Sequence, residues 1–269
     1  MYILIIGGGV MGIELAKALA GNDIVIIEKD IEKSELSEHE VDGMIIRGDA
    51  TRMDILEQAG IDDADIILAI TGNDEVNLMV AMLGKKKGKK IIARVNIPEN
   101  IRLFKQAGID NAITPERKAA LSIASDIQKL VEGGKSHLLI AGGGTMGREL
   151  ANALAGQSAI IIEKDPVKCE KAIRETNKLV IQGDATQLDL LERAGIDQVD
   201  IVAAMTDSDE VNLLVATLAK QKGKKVITRV KDAEHGRLFK ELGIDYSVTP
   251  ECRAAEEIAK EILEYMDKE

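Results

Sequence analysis

The chain of 269 residues contains only two cysteines, three histidines and four prolines. Each scarcity excludes something. Cys169 and Cys252 have no companions at metal-site spacing, and the residues 135 positions earlier are Ser34 and Arg117, so no thiol site recurs along the chain. Two isolated thiols fit a reducing compartment. His39, His137 and His235 fall opposite Arg174, Tyr2 and Asn100 under the same shift of 135. A histidine-based catalytic or metal centre common to both halves is therefore excluded. Apolar runs such as Met1–Ile6 and Ile24–Ile27 are far shorter than the ~20 residues of a membrane helix. No charged leader or cleavage pattern opens the chain. With a formal charge of −11 the protein lacks the basic face that nucleic acid requires. Small anions remain possible ligands, because a helix N-terminus binds phosphate whatever the net charge.

What the chain does contain is itself, twice. Residues 7–12 read Gly-Gly-Gly-Val-Met-Gly and residues 142–147 read Gly-Gly-Gly-Thr-Met-Gly. A shift of 135 residues overlays the sequence without a gap from Leu4 on Leu139 to Ile127 on Ile262, with about half the positions identical. The period is too long for a solenoid module and matches a whole domain. The expected organisation is two domains, 1–134 and 135–269, joined by a short linker at Glu132–Ser136.

Within each repeat, short apolar runs alternate with amphipathic stretches. In the first, strands are expected at Tyr2–Ile6, Ile24–Ile27, Met44–Ile46, Asp65–Ile70, Ile91–Val95 and Ala112–Thr114. Helices are expected near Val10–Ala20, Asp54–Ala59, Asn73–Lys87 and Pro98–Ala107, with a last one from Pro115 to about Glu132. Buried strands alternating with helices imply a parallel sheet covered on both faces. With a glycine fingerprint after the first strand, the fold class is α/β, two tandem Rossmann-type doubly wound domains of strand order 3-2-1-4-5-6. The last helix leaves apolar Ile123, Ile127 and Leu130 in need of a neighbour.

The glycine turn is the chemical centre of each repeat. Gly7 and Gly142 permit the tight turn, Gly9 and Gly144 let a pyrophosphate approach the backbone, and Gly12 and Gly147 let the helix pack close to the sheet. The helix dipole and its free N–H groups then favour an anion. Glu28 and Glu163, each 21 residues after the first glycine, close the second strand. A carboxylate there accepts hydrogen bonds from a ribose diol and repels a 2′-phosphate. Asp49-Ala50 and Asp184-Ala185 follow the third strand, where an adenine would lie, although Asp49 would serve equally as a cap for the next helix. Thr71 and Thr206 follow the fourth strand and face the glycine turn; capping by Asn73 or Asp74 is the competing account of that loop. Arg94 and Arg229 end the fifth strand, placed for a phosphate or for a carboxylate of the neighbouring domain. Val10, Met11, Thr145 and Met146 in the turn, and Lys29 and Lys164 beside the acids, complete the candidate nucleotide contacts. Met11 and Met146 also fit a core role. The residues suggest neither catalytic nor metal-ligating groups.

Taken together, these residues resemble the N-lobe of the K+ transport NAD-binding family, the regulator of K+ conductance domain found in TrkA and KtrA. The motifs that carry the resemblance are Gly-Gly-Gly-Val-Met-Gly, Ile-Ile-Glu-Lys-Asp, Gly-Asp-Ala-Thr, Ala-Gly-Ile-Asp, Asp-Glu-Val-Asn-Leu, Ala-Arg-Val and Leu-Phe-Lys-Gln-Ala-Gly-Ile-Asp followed by Thr-Pro-Glu. They recur in family order over nearly the whole of each repeat. The resemblance implies a cytoplasmic, non-enzymatic regulatory subunit, peripheral to the inner face of the membrane and bound to a K+-translocating membrane partner. It further implies a homo-oligomer, four chains making a ring of eight lobes, that changes shape with the bound nucleotide. Two departures bear on the ligand. Glu132 leads straight into the second N-lobe and the sequence ends at Glu269, so ligands of a C-lobe are not expected. The Arg that ATP-responsive members carry after the second glycine is replaced by Val10 and Thr145, which removes a partner for a terminal phosphate. NAD(H), or AMP/ADP, is therefore expected over ATP. The rival readings are an NAD-dependent oxidoreductase, which would need a substrate domain and a proton-transfer residue, and a nucleotide sensor of another transport system.

Overall fold

A computed structural model describes residues 1–130, 136–244 and 246–266. Residues 132–135 of the expected linker Glu132–Ser136, and the side chain of Leu130, lie outside the described residues. The first sheet comprises β1 (Tyr2–Ile6), β2 (Asp23–Glu28), β3 (Met44–Arg47), β4 (Ile66–Ala69), β5 (Lys90–Arg94) and β6 (Ala112–Ile113), in the spatial order 3-2-1-4-5-6. The second comprises β7 (His137–Ala141), β8 (Ser158–Glu163), β9 (Leu179–Gln182), β10 (Ile201–Ala204), β11 (Lys225–Arg229) and β12 (Ser247–Val248), in the equivalent order 9-8-7-10-11-12. Every strand pair is parallel, and equivalent registers recur, as with Leu4 opposite Val25 and Leu139 opposite Ile160. The order reverses between β1 and β4, and between β7 and β10. This places a crevice at the carboxyl ends of those strands.

The helices of the first repeat are α1 (Val10–Ala18), α2 (Ile31–Glu40), α3 (Met53–Gln58), α4 (Asp74–Lys86), α5 (Ile101–Gln106) and α6 (Pro115–Leu130). Those of the second are α7 (Thr145–Ala153), α8 (Pro166–Glu175), α9 (Leu188–Arg193), α10 (Asp209–Gln221), α11 (Ala233–Glu241) and α12 (Pro250–Met266). Two of them, α2 and α8, are not among the expected helices: α2 has no apolar stripe and that of α8 is narrow. The buried face of α2 is Ser34 and Ser37, and that of α8 is Cys169 and Ala172. What starts them is a cap: Asp30 accepts a hydrogen bond from the Lys33 N–H and Asp165 from the Lys168 N–H. On α1 the buried face is Met11, Ile13, Leu15, Ala16 and Leu19, while Ala18 faces outward. On α4 the buried face holds Asn77 and Gly84 beside Val80 and Ala81, and Met79 and Met82 are exposed.

Packing divides the chain differently from the 134/135 boundary of the sequence repeat. One compact unit is Met1–Pro115 with Ala254–Glu269, and the other is Glu116–Arg253. Each sheet is thus completed by the last helix of the other repeat. In the first unit, one face of the sheet is covered around Leu4, Ile6, Val80 and Phe104. Its opposite face is covered by α1 together with Ala254, Ala255, Ile258, Ala259 and Ile262 of α12. In the second, α7 shares a face with Ala119, Ala120, Ile123, Ala124 and Ile127 of α6. The neighbour that Ile123 and Ile127 require is therefore supplied within the chain, and they give no reason for a second copy. A fully buried isoleucine contributes roughly 1.5–3 kcal/mol, so two per helix make the exchanged segment a substantial part of each core.

Candidate nucleotide sites

Each site grows from the turn between the first strand and first helix of its repeat. Gly7 adopts φ +115° and Gly142 φ +109°, a region that L side chains avoid. Gly12 has another reason for being glycine: a Cβ there would lie 2.0 Å from the Gly7 carbonyl oxygen, and at Gly147 1.9 Å from that of Gly142. Gly9 has neither reason. Its φ of −76° suits any residue, and a Cβ would meet nothing within 4 Å. The protein itself does not need glycine at this point; a ligand lying against the backbone would. No side chain caps α1 or α7, whereas Asn73 caps α4 and Ser208 caps α10. The first-turn N–H groups of Val10, Met11 and Gly12, and of Thr145, Met146 and Gly147, have no partner within their helices. The Met11 and Met146 side chains are buried in the core, so these residues can offer a ligand their backbone alone.

Glu28 ties this turn to the second strand. Its Oε2 accepts from the Gly8 N–H at 2.6 Å, and its Oε1 from the Lys29 and Asp30 N–H groups at 2.8 Å. Glu163 repeats the contacts with Gly143 at 2.6 Å and Asp165 at 2.8 Å. A carboxylate has about four lone-pair sites, so each acid can hold the turn and still accept from a diol. The next acid is held from both sides. Asp49 receives Lys29 Nζ at 2.7 Å on one oxygen and the Thr51 N–H and Oγ1 at 3.0 and 2.7 Å on the other. Asp184 is bound in the same way by Lys164 and Thr186. The lysine bonds, then those of the threonines, hold both carboxyls below the ordinary range, Asp184 at about 2. Asp49 therefore braces its own loop; α3 starts after Arg52 with no side-chain cap. Ala50 and Ala185 are buried behind these loops.

Opposite the glycine turn, Thr71 and Thr206 are locked by a residue to which the sequence reading assigned no role. Asn77 Oδ1 accepts from the Thr71 N–H at 2.8 Å and its Nδ2 donates to the Thr71 and Arg94 carbonyls, both at 2.9 Å. Asn212 makes the equivalent bonds to Thr206 and Arg229. Both asparagines are fully buried. The available signal was the Thr-x5-Asn spacing that both repeats keep. Arg94 ends β5 and is half-buried. Arg229 ends β11, and its Nη1 donates to Asp207 Oδ1 at 2.5 Å, a carboxylate of its own repeat. In the second repeat these elements enclose a cavity of about 460 Å³ lined by Gly142, Gly144, Glu163, Asp184, Thr206 and Asp207, among others. Of the sequence-predicted residues lining it, Gly142, Gly144, Glu163, Lys164, Asp184, Ala185 and Thr206 are brought together there. Among the described residues, no cluster of histidine, cysteine and carboxylate side chains could hold a metal ion, and no helix is long and apolar enough to cross a membrane.

The geometry has relatives. The TrkA-N domain matches residues 3–115 and 138–250, ending in each repeat where the exchanged helix begins. A Trk system potassium uptake protein TrkA homologue of Archaeoglobus fulgidus is 29% identical over 356 positions, covering 97% of this chain and 80% of that protein. A TrkA homologue of Methanosarcina mazei is 30% identical over 362 positions, covering 97% of this chain and 89% of its own length. Both alignments are longer than the chain, so these relatives contain residues with no counterpart here. Among solved structures, GsuK bound to ADP superposes with a TM-score of 0.73 at 22% identity, over 98% of this chain and 69% of that one. The GsuK channel bound to NAD gives 0.74 at 17%, over 99% and 64%. The latter two likenesses establish the fold. The paired family matches, with the end-to-end likeness to the TrkA homologues, establish that this chain belongs to the TrkA-N domain family.

Proposed function

We propose that the chain is a non-enzymatic, nucleotide-sensing regulatory subunit of a K+ uptake system, with one adenine nucleotide site in each repeat. The observation that carries this reading is Gly9. It is a glycine that neither backbone strain nor crowding demands, set at an uncapped helix N-terminus beside the carboxylate of Glu28, and Gly144 stands in the same setting beside Glu163. The end-to-end likeness to potassium uptake proteins supplies the transport context. The two acids favour a ribose without a 2′-phosphate, which fits NAD(H), AMP or ADP. Val10 and Thr145 bring no cation for a terminal phosphate, which disfavours ATP. The partner is a membrane subunit that translocates K+, with this chain held on its cytoplasmic side. Further assembly of chains, four to a ring of eight lobes, draws support from apolar side chains left exposed in both repeats, Met79 and Met82 on α4 and Leu214 on α10.

A nucleotide shifts a conformational equilibrium only through a difference in affinity for the two states. NAD+ and NADH, or ADP and ATP, are therefore expected to produce different K+ fluxes when the chain is reconstituted with its membrane partner. Small-angle scattering with each ligand should change in parallel. Identical flux and scattering with every nucleotide would overturn the sensor, and steady NADH oxidation with a metabolite would make the chain an enzyme.

A further inference from the structure

The two sites are near copies, which makes their few differences informative. Of the fifteen residues lining the cavity of the second repeat, twelve are identical to the residue 135 positions earlier. The exceptions are Met205 for Ile70, Ser208 for Asn73 and Asp207 for Gly72. Only the last changes charge. Asp207 follows β10 and stands over the glycine turn, where a Cβ on Gly144 would lie 4.0 Å from its Oδ2. It holds two cations, Lys168 Nζ at 3.0 Å and Arg229 Nη1 at 2.5 Å. Arg229 is almost wholly buried, and its Nε has no hydrogen-bond partner among the described residues. Burial would raise the Asp207 pKa, but the hydrogen bonds from Lys168 and Arg229 outweigh it and hold the group below its ordinary value. The carboxylate is therefore charged at neutral pH.

A negative oxygen beside the glycine turn, bonded to an arginine and a lysine, occupies the chemical place of a phosphate. We infer that Asp207 sets the ligand specificity of the second site. Phosphate groups bind there only by displacing its carboxylate from Arg229 and Lys168, whereas Gly72 leaves the first site without such a competitor. The chain would then carry one tighter and one weaker site for a nucleoside diphosphate, and the gap between them would close for a nucleoside without phosphate. This rests on the nucleotide reading of both sites and adds which of them discriminates against phosphate.

Reciprocal substitutions test it. Gly72→Asp is sterically free, because a Cβ at Gly72 meets nothing within 4 Å and its φ lies outside the left-handed region. Asp207→Asn keeps the size and an acceptor for Arg229 while removing the charge. The measurement is calorimetric titration of the full chain with ADP and with adenosine, in EDTA so that no divalent cation bridges carboxylate and phosphate. For the native chain, two ADP affinities are expected, roughly ten- to a hundredfold apart, the range that a charge-assisted hydrogen bond is worth in affinity. Asp207→Asn should draw the weaker toward the tighter, Gly72→Asp should weaken the tighter, and adenosine should respond to neither change. Two equal ADP sites in the native chain, or ADP isotherms unaltered by Gly72→Asp, would overturn the inference while leaving the nucleotide reading intact. No binding of ADP or adenosine by any of the three proteins would instead overturn the nucleotide reading itself. Gly72→Asp acts within the first unit, so it keeps the test decisive should Asp207→Asn destabilise the second.

Discussion

The first and second repeats build the same crevice from the same residues, yet they differ in how its mouth is closed. In the first, Asp74 organises the loop after β5 through uncharged donors: the Asn96 N–H and Nδ2 at 2.6 and 2.9 Å, and Asn100 Nδ2 at 2.7 Å. In the second, the matching Asp209 takes the Lys231 N–H at 2.9 Å and His235 Nδ1 at 2.8 Å. Asp207 adds an ion-paired carboxylate where the first repeat has Gly72. Duplication preserved the scaffold and most of the residues that line the crevice. The changes at the loops around the site include changes of charge and titration, Asp207 for Gly72 and His235 for Asn100.

The largest effect should come from breaking the equivalence of the last helices. Ile258 of α12 is buried in the first unit and Ile123 of α6 in the second. Truncating a buried isoleucine to alanine costs about 2–5 kcal/mol. Ile258→Ala should therefore lower the stability of the first unit, although it lies in the second repeat, and Ile123→Ala should lower that of the second. Hydrogen exchange read by peptide separates these outcomes. Faster exchange in the strands of a helix's own repeat would refute the exchange.

That exchange also marks where sequence reasoning runs out. The buried stripe of α6 is Ala119, Ala120, Ile123, Ala124 and Ile127, and that of α12 is Ala254, Ala255, Ile258, Ala259 and Ile262, the same alanines and isoleucines at the same spacing. A local pattern shows that such a helix needs an apolar face opposite it, but with identical stripes it carries no information on which sheet supplies one. The strands were legible because a parallel sheet covered on both faces demands continuous apolar runs, as in Ile3–Ile6 and Ile66–Ala69. The helix α2 was not, because serine supplies its buried face and only the Asp30 cap announces it. At the site, the glycines and acids stood out by spacing. The Asn77 and Asn212 locks did not, since an asparagine in a helix reads as a surface residue until its hydrogen bonds are known.

A smaller effect should separate the two ribose acids. Glu28→Gln keeps one oxygen for the Gly8 N–H and loses the charge, as does Glu163→Gln toward Gly143. Loss of a charged hydrogen bond to a ribose costs about 1.5–3 kcal/mol, roughly ten- to a hundredfold in affinity. With the sites unequal, Glu28→Gln should remove the tighter phase of an ADP titration and Glu163→Gln the weaker one. Isotherms unchanged in both variants would mean that these acids hold the turn alone.

The smallest effect should be a pH response confined to the second repeat. The hydrogen bond that His235 Nδ1 makes to Asp209 raises the His235 pKa above its ordinary value; burial opposes this, and the negative charges of Asp209, Asp232 and Glu210 add to the rise. A histidine whose folded pKa is raised stabilises fully below its unfolded pKa, and the contribution disappears as pH rises through the folded value. The start of α11 should therefore be best ordered below about pH 6.5 and loosen above it, where the imidazole becomes neutral and the pair with Asp209 weakens. Asn100, the matching residue in the first repeat, does not titrate, so the loop after β5 should show no such change. Amide exchange at Lys231 and Asp232, followed from pH 5.5 to 8.5 after correction for the intrinsic rate, provides the reading. His235→Asn should make the second repeat as indifferent to pH as the first. A response that persists in this variant would have to come from another group and would remove His235 from the account of how the repeats diverged.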